Sequence, residues 1–309
     1  MDVESDELIG ILERDRRLDD IAAIDQTRRA DDGFSRRAGA EGPLRVDGDM
    51  VVDSAGNVWT VEGVGGFMAR VQKFGPGGQF ISKFGSHGAE NGQLNGPEAL
   101  AIDAQGDVWV ADTNNNRVQQ FKPSGEFISK FGSAGSEEGQ LTRPRGIAVD
   151  SEGNVWVSDS GNNRIQGFSA AGAYLSQFGS TGNDSGEFAE PKGVAVDGEG
   201  RIWVADTGND RVQGSTGSEP VNHFGGTGSG PGNLSAPSDA AVDSEGNVWV
   251  ADTNHHRIQV FSSSGGFVPS PTISISPNTA ISRPSGRAVM GRDCRMKINN
   301  RLTVACARV

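Results

Sequence analysis

An all-β array of four-stranded antiparallel sheets, set around an axis as a β-propeller, is the fold class this sequence predicts, and three observations predict it. Tryptophans 59, 109, 156, 203 and 249 fall at steps of 50, 47, 47 and 46 residues, and arginines 70, 117, 164, 211 and 257 at steps of 47, 47, 47 and 46. A period near 47 is too long for one hairpin and suits four short strands with their turns. The chain of 309 residues also holds 45 glycines, a composition that suits an array rich in tight turns.

Within one unit, Gly146–Asp150 is a small-to-apolar run that suits a buried inner strand. Asp150-Ser151-Glu152-Gly153-Asn154 follows, with a glycine able to take the positive φ of a short hairpin loop. Asn154–Asp159 is apolar on both faces through Val155, Trp156 and Val157, so this strand must be covered on two sides. Arg164–Phe168 and Tyr174–Phe178 supply two more strands across Ala170-Ala171-Gly172. A lone meander of this kind cannot cover both its faces. Sheets packed radially can, and each Val side chain so buried contributes about 1.5–3 kcal/mol, with somewhat more from a Trp ring.

The chain divides into three parts. Residues 1–43 carry 7 basic and 12 acidic groups, a balance of −5, and read as an amphipathic helix with a polar linker. Ser5 is its N-cap, and Leu8, Ile11, Leu12, Leu18, Ile21 and Ala22 form its stripe. Residues 44–268 hold the repeats, with 14 basic and 27 acidic groups, a balance of −13. Residues 269–309 form a basic tail containing Pro and Ser, with a balance of +6.

Units 2 and 3, from Pro97 and Pro144, are the most regular. Unit 1 has Glu62 in place of the aspartate and a longer loop at Gly63–Gly66, as expected where an end blade meets a different neighbour. Unit 4 reads Gly214-Ser215-Thr216-Gly217 where units 2 and 3 place Phe121 and Phe168, so its third strand loses an anchor. Unit 5 meets Val268-Pro269-Ser270-Pro271 where its fourth strand belongs, and proline removes a ladder donor, which makes that strand edge-like or absent. In the tail, Arg295–Ile298 and Leu302–Ala307 read as a hairpin around Asn299-Asn300. The expectation is a six-bladed-like array whose last blade is poorly formed.

The recurring segments Pro-x-Gly-Ile-Ala-Val-Asp, Gly-Asn-Val-Trp-Val-x-Asp, Asn-x-Arg-Ile/Val-Gln and Phe-Gly-Ser resemble the NHL repeat. The resemblance covers roughly Asp47–Phe267 and implies a propeller, six-bladed in that family. It leaves the role open, because one fold hosts many functions. Some NHL-like propellers are metal-dependent lyases and others bind RNA, so both stand as alternatives to a non-catalytic scaffold that presents loops to a protein, peptide or glycan.

Candidate residues are weighed on that basis. The pairs Asp112 with Arg117, Asp159 with Arg164, Asp206 with Arg211 and Asp252 with Arg257 end one strand and open the next, so acid and base can meet across a loop. Their recurrence in every standard unit marks them as structural, since a binding site breaks symmetry. Trp59, Trp109, Trp156, Trp203 and Trp249 are expected to pack between blades. Asp103, Asp150, Asp197 and Asp243 precede the turns at Gly106, Gly153, Gly200 and Gly246; they suit either Ca²⁺ or, with more weight, the amides of their own turn.

No resident cofactor is expected. His87, His223, His255 and His256 lie off the inner strands, and only the pair His255 and His256 merits testing as metal ligands for the lyase reading. For RNA, Arg143, Arg145 and Lys192 could seed a patch, but the acidic balance of the array weighs against nucleic acid. Cys294 and Cys306 carry no metal signature and are either free or bridged. No apolar window reaches spanning length, so a soluble chain is expected. The N-terminus shows no secretory signal, which points to the cytoplasm unless it is incomplete.

Overall fold

The computed structural model describes residues 48–63, 69–274, 293–298 and 302–307. Within them the repeats form five sheets of four antiparallel strands, each strand hydrogen-bonded to the next in sequence. Blade I holds β1 (Met50–Val52), β2 (Val58–Glu62), β3 (Arg70–Phe74) and β4 (Phe80–Phe84). Blade II holds β5 (Ala99–Ile102), β6 (Val108–Asp112), β7 (Arg117–Phe121) and β8 (Phe127–Phe131). Blade III holds β9 (Pro144–Val149), β10 (Val155–Asp159), β11 (Arg164–Phe168) and β12 (Tyr174–Phe178).

A short parallel ladder, β13 (Ser180–Thr181) with β14 (Glu187–Phe188), follows in the connection to blade IV. The bridges His87 to Leu94, Ala134 to Leu141 and Thr227 to Leu234 mark the same place in the other connections. Blade IV holds β15 (Pro191–Val196), β16 (Ile202–Asp206), β17 (Arg211–Ser215) and β18 (Pro220–Gly225). Blade V holds β19 (Pro237–Val242), β20 (Val248–Asp252), β21 (Arg257–Phe261) and β22 (Phe267–Ser274).

Packing follows from the strand that is apolar on both faces. Each residue of β2, β6 and β16 is buried. The tryptophan of one blade enters the cluster of the next: Trp59 packs with Val108, Val110 and Phe121, Trp109 with Val155, Val157 and Phe168, and Trp203 with Val248, Val250 and Phe261. These three rings are at most 1% exposed. Trp156 and Trp249 are only half-buried; for Trp156 the reason lies in blade IV, which lacks the phenylalanine its neighbours supply.

First strands of successive blades lie side by side. A Cβ on Gly146 would come within 2.1 Å of the Lys192 carbonyl oxygen, and one on Gly193 within 2.1 Å of Asp239 Oδ1. Glycine is what permits that approach.

Three expectations need correction or limits. Where a six-bladed-like array was expected, the described residues show five full blades and, from the tail, one two-stranded hairpin, β23 (Asp293–Ile298) with β24 (Leu302–Ala307). β23 lies beside β19 and β20 of blade V and β1 of blade I, and its register sets Cys294 opposite Cys306. The fourth strand of unit 5 is present: β22 runs through Pro269 and Pro271 as an edge strand, with an irregular register between Ile258 and Val260, so the expected boundary at 268/269 falls inside it. The amphipathic helix at the N-terminus lies outside the described residues; among those residues the only helical turns are 3₁₀ segments of three residues.

Candidate functional site

The residues that recur most strictly converge at one end of each blade. Asp112 closes β6, a 3₁₀ turn spans Thr113–Asn115, Asn116 takes φ 52°, and Arg117 opens β7. The reversal brings Arg117 Nε within 2.7 Å of Asp112 Oδ2, with the carboxylate fully buried. Arg164 with Asp159, Arg211 with Asp206 and Arg257 with Asp252 repeat the geometry at 2.7 Å. Burial raises the Asp112 carboxyl above its ordinary value against the donors from Asn115, the Asn95 amide and Arg117.

What the rest of each guanidinium does was not visible in the sequence. Arg117 donates to the carbonyls of Ala89, Glu90 and Gln93, all in the loop that leads into its own blade. Arg211 does the same to Asn183, Asp184 and Glu187, and Arg257 to Ser229, Gly230 and Asn233. Arg164 reaches Glu137 and Gln140 and spends its remaining nitrogen on Gln177 Oε1.

A glutamine two residues on completes the clamp. Gln119 donates to the Gln93 carbonyl at 2.6 Å and accepts from the Gly92 amide at 3.0 Å, and Gln166, Gln213 and Gln259 repeat both bonds. Asn115, Asn162 and Asn209 hold the carbonyls of Gly88, Gly135 and Gly182. Each loop is therefore fixed through its main chain, while residues 89–91, 136–138 and 183–185 stay exposed.

The same turn also reaches forward. Thr113 Oγ1 donates to the Pro144 carbonyl of blade III at 2.7 Å, Thr207 to Pro237 at 2.7 Å, and Ser160 to Pro191. Asn116 Oδ1 accepts from the amide of Arg143, whose φ is 51°, and Asn163 and Asp210 do so for Glu190 and Ala236.

Blades I and V vary the theme. In blade I, Glu62 is buried and takes Arg70 Nε at 3.0 Å together with Gln72, so a longer acid fills the place of aspartate. In blade V, His255 stands where blades II, III and IV have asparagine, and its Nδ1 lies 2.9 Å from Asp252 Oδ2.

At the other end, each acid before the glycine turn that joins the first two strands is occupied by its own turn. Asp103 Oδ1 accepts from the amides of Gln105 and Asp107, and Oδ2 accepts from Trp109 Nε1 at 2.9 Å. The indole bond recurs from Trp59, Trp156, Trp203 and Trp249 to Asp53, Asp150, Asp197 and Asp243. Burial works to raise the carboxyls of Asp53, Asp197 and Asp243, but the indole, amide and side-chain donors outweigh it and hold them below the ordinary range.

The histidines lie in three separate places. His87 sits in a connecting loop, His223 on β18, and His255 and His256 at the turn of blade V. Among the described residues no three His, Cys, Asp or Glu side chains gather as metal ligands. Of the three cations, Arg143 is exposed at a loop end, and Arg145 lies on β9 with its Nε 3.7 Å from Glu98. Lys192 is on β15.

The NHL repeat model matches residues 94–121, 141–168, 188–214 and 234–261. NHL repeat-containing protein 3 of Mus musculus is 34% identical over 77 residues, and that of Homo sapiens 31%. Each match spans 24% of this chain and 22% of the relative, so only about a fifth of those proteins is matched. Among solved structures, a streptogramin B lyase aligns at TM-score 0.58 with 14% identity over 87% of this chain and 85% of the other. Virginiamycin B lyase from Staphylococcus aureus aligns at 0.53 with 16% identity over 72% and 70%. A nidogen/laminin complex gives 0.55 with 17% identity over 74% and 80%. At such identities the likeness speaks for the fold alone.

Proposed function

We propose that this chain, an NHL-repeat β-propeller, is a non-catalytic scaffold whose connecting loops bind a protein or peptide partner, with a glycan as the other ligand class such loops can take. One observation carries the reading. The arginine, glutamine and asparagine of blades II, III and IV hold the carbonyls of the loop before each, so the loop is rigid while its side chains are left for contact. Loops on a fixed array are where recognition resides, because they vary without disturbing the core. Preset loops also bind at lower ordering cost than mobile ones.

The loop side chains suggest the sign of the partner. Glu90, Glu137, Glu138 and Asp184 are exposed on them, so a basic segment fits best. The lyase alternative draws on a likeness of fold, and its candidate His255 is engaged with Asp252. RNA meets the acidic loops and a repeat region of balance −13.

The experiment is capture of partners by the full chain against a variant carrying Glu90→Lys, Glu137→Lys, Glu138→Lys and Asp184→Lys. Only main-chain atoms of 90, 137 and 184 take part in the clamps, so the variant should melt as the parent does. Partners retained by the parent and lost by the variant support the reading. Equal capture, or bound metal found by elemental analysis of the parent, sinks it.

A further inference from the structure

Three blade interfaces share an aromatic sandwich on the outer flank. Phe84 meets Phe121 at 4.8 Å, Phe131 stacks on Phe168 at 4.2 Å, and Phe224 stacks on Phe261 at 4.4 Å. The second ring of each pair ends the third strand of the following blade, and a further ring covers it at 6.0–6.4 Å: Phe127, Tyr174 and Phe267.

Between blades III and IV both following rings are missing. Ser215 ends β17 and Pro220 opens β18, and the turn between them spans residues 216–219, against 169–173 in blade III. Ser215 Oγ is held within that turn, donating to the Glu219 carbonyl and accepting from the Gly217 amide, both at 3.0 Å. Phe178 therefore has no stacked partner, only tilted neighbours in Trp156 at 6.3 Å and Phe188 at 6.1 Å. Phe188 replaces Leu94, Leu141 and Leu234 of the sister interfaces and fills part of the space. A cavity of about 60 Å³ remains, lined by Phe178, Phe188, Gly186, Gly214, Ser215 and Pro220 and open past exposed Ser218.

We propose that this cavity is a binding site for the phenyl ring of a peptide side chain. At the three sister interfaces this same chain supplies a ring from within at the corresponding place, so a ring entering from outside meets Phe178, whose partner is missing here. An enclosed cavity of about 150 Å³ admits a whole benzene; this smaller, open one takes a ring by its edge and leaves the attached chain in solvent. That selects an aromatic residue on a peptide over a free hydrocarbon. The site borders the clamped loop at Gly186 and at the clamp residue Gln213, but its ring wall is Phe178 on β12, so it needs none of the acidic side chains on which the loop reading rests.

The test is saturation-transfer NMR on the full chain with N-acetyl-L-phenylalaninamide, and N-acetyl-L-leucinamide as comparator. Ser215→Phe restores the internal ring and Pro220→Phe restores the covering one. The parent is expected to transfer saturation to the phenyl protons at least threefold more than to the leucine methyls, and each variant to lower that transfer at least threefold. Pro220 is exposed, so its variant keeps the test intact should Ser215→Phe fail to fold. No phenyl transfer in the parent, equal transfer to leucinamide, or undiminished transfer in a folded variant overturns the proposal.

Discussion

Arg211 Nε lies 2.7 Å from Oδ2 of Asp206, and the same guanidinium reaches the carbonyls of Asn183, Asp184 and Glu187. One side chain thus neutralises a buried acid and ties down the loop that enters its blade. Removing it leaves the buried acid without its cation and takes this donor from the carbonyls of Asn183 and Asp184.

Arg211→Ala is expected to cost about 3–5 kcal/mol in urea unfolding, the range for a buried ion pair broken from one side. Arg211→Lys should restore little, because an ammonium lacks the planar fork that serves the acid and the carbonyls together. Full rescue by lysine would mean that charge alone matters here.

The tryptophans should separate into two groups. Trp109 is 1% exposed, and Trp109→Ala is expected to cost about 3–5 kcal/mol. Trp156 is half-buried beside the cavity at Ser215, so Trp156→Ala should cost roughly half as much. Equal losses in parallel chemical unfolding would contradict the packing described.

Thr113→Val keeps shape and removes the hydroxyl that bonds to the Pro144 carbonyl. An unpaired buried acceptor costs about 1–3 kcal/mol. Unfolding midpoints of the variant and of Thr207→Val should fall together, since the bond is the same in both places.

Acid should weaken the fold through the turn aspartates. Asp53, Asp197 and Asp243 titrate below their ordinary value, so at low pH the unfolded chain binds more protons than the folded one. The stability they add is complete above the unfolded value of about 3.9 and is lost as pH falls through the lower folded values. Melting temperature is expected to drop below about pH 4, with a shallower acid limb in Asp243→Asn.

Removing residues 277–309 takes away β23, the neighbour of β1 and β19. A lower melting temperature is the expected result in calorimetry, and an unchanged one would show that the hairpin adds nothing to the ring.

How much of this was legible depends on which atoms do the holding. The period, the four strands and the Asp–Arg pairs are written in side chains, and spacing alone brought Asp159 and Arg164 together. The clamp is not, because its acceptors are carbonyls that any residue supplies. Gln119, Gln166, Gln213 and Gln259 repeat as faithfully as the arginines, and their place two residues after each was the signal for them. The lost anchor at Ser215 could be read, but not the cavity, which needs Phe178 of the preceding blade. The tail carries no repeat marker, so the seat of β23 between blades V and I had no sequence signature.

The glycines at 146 and 193 have one further consequence. With no room for even a methyl group there, the separation of β9 from β15 and of β15 from β19 is fixed by the smallest residue type available. Gly193→Ala would press on Asp239 and push β15 and β19 apart, turning a swap of one hydrogen for a methyl into a loosened seam between two blades.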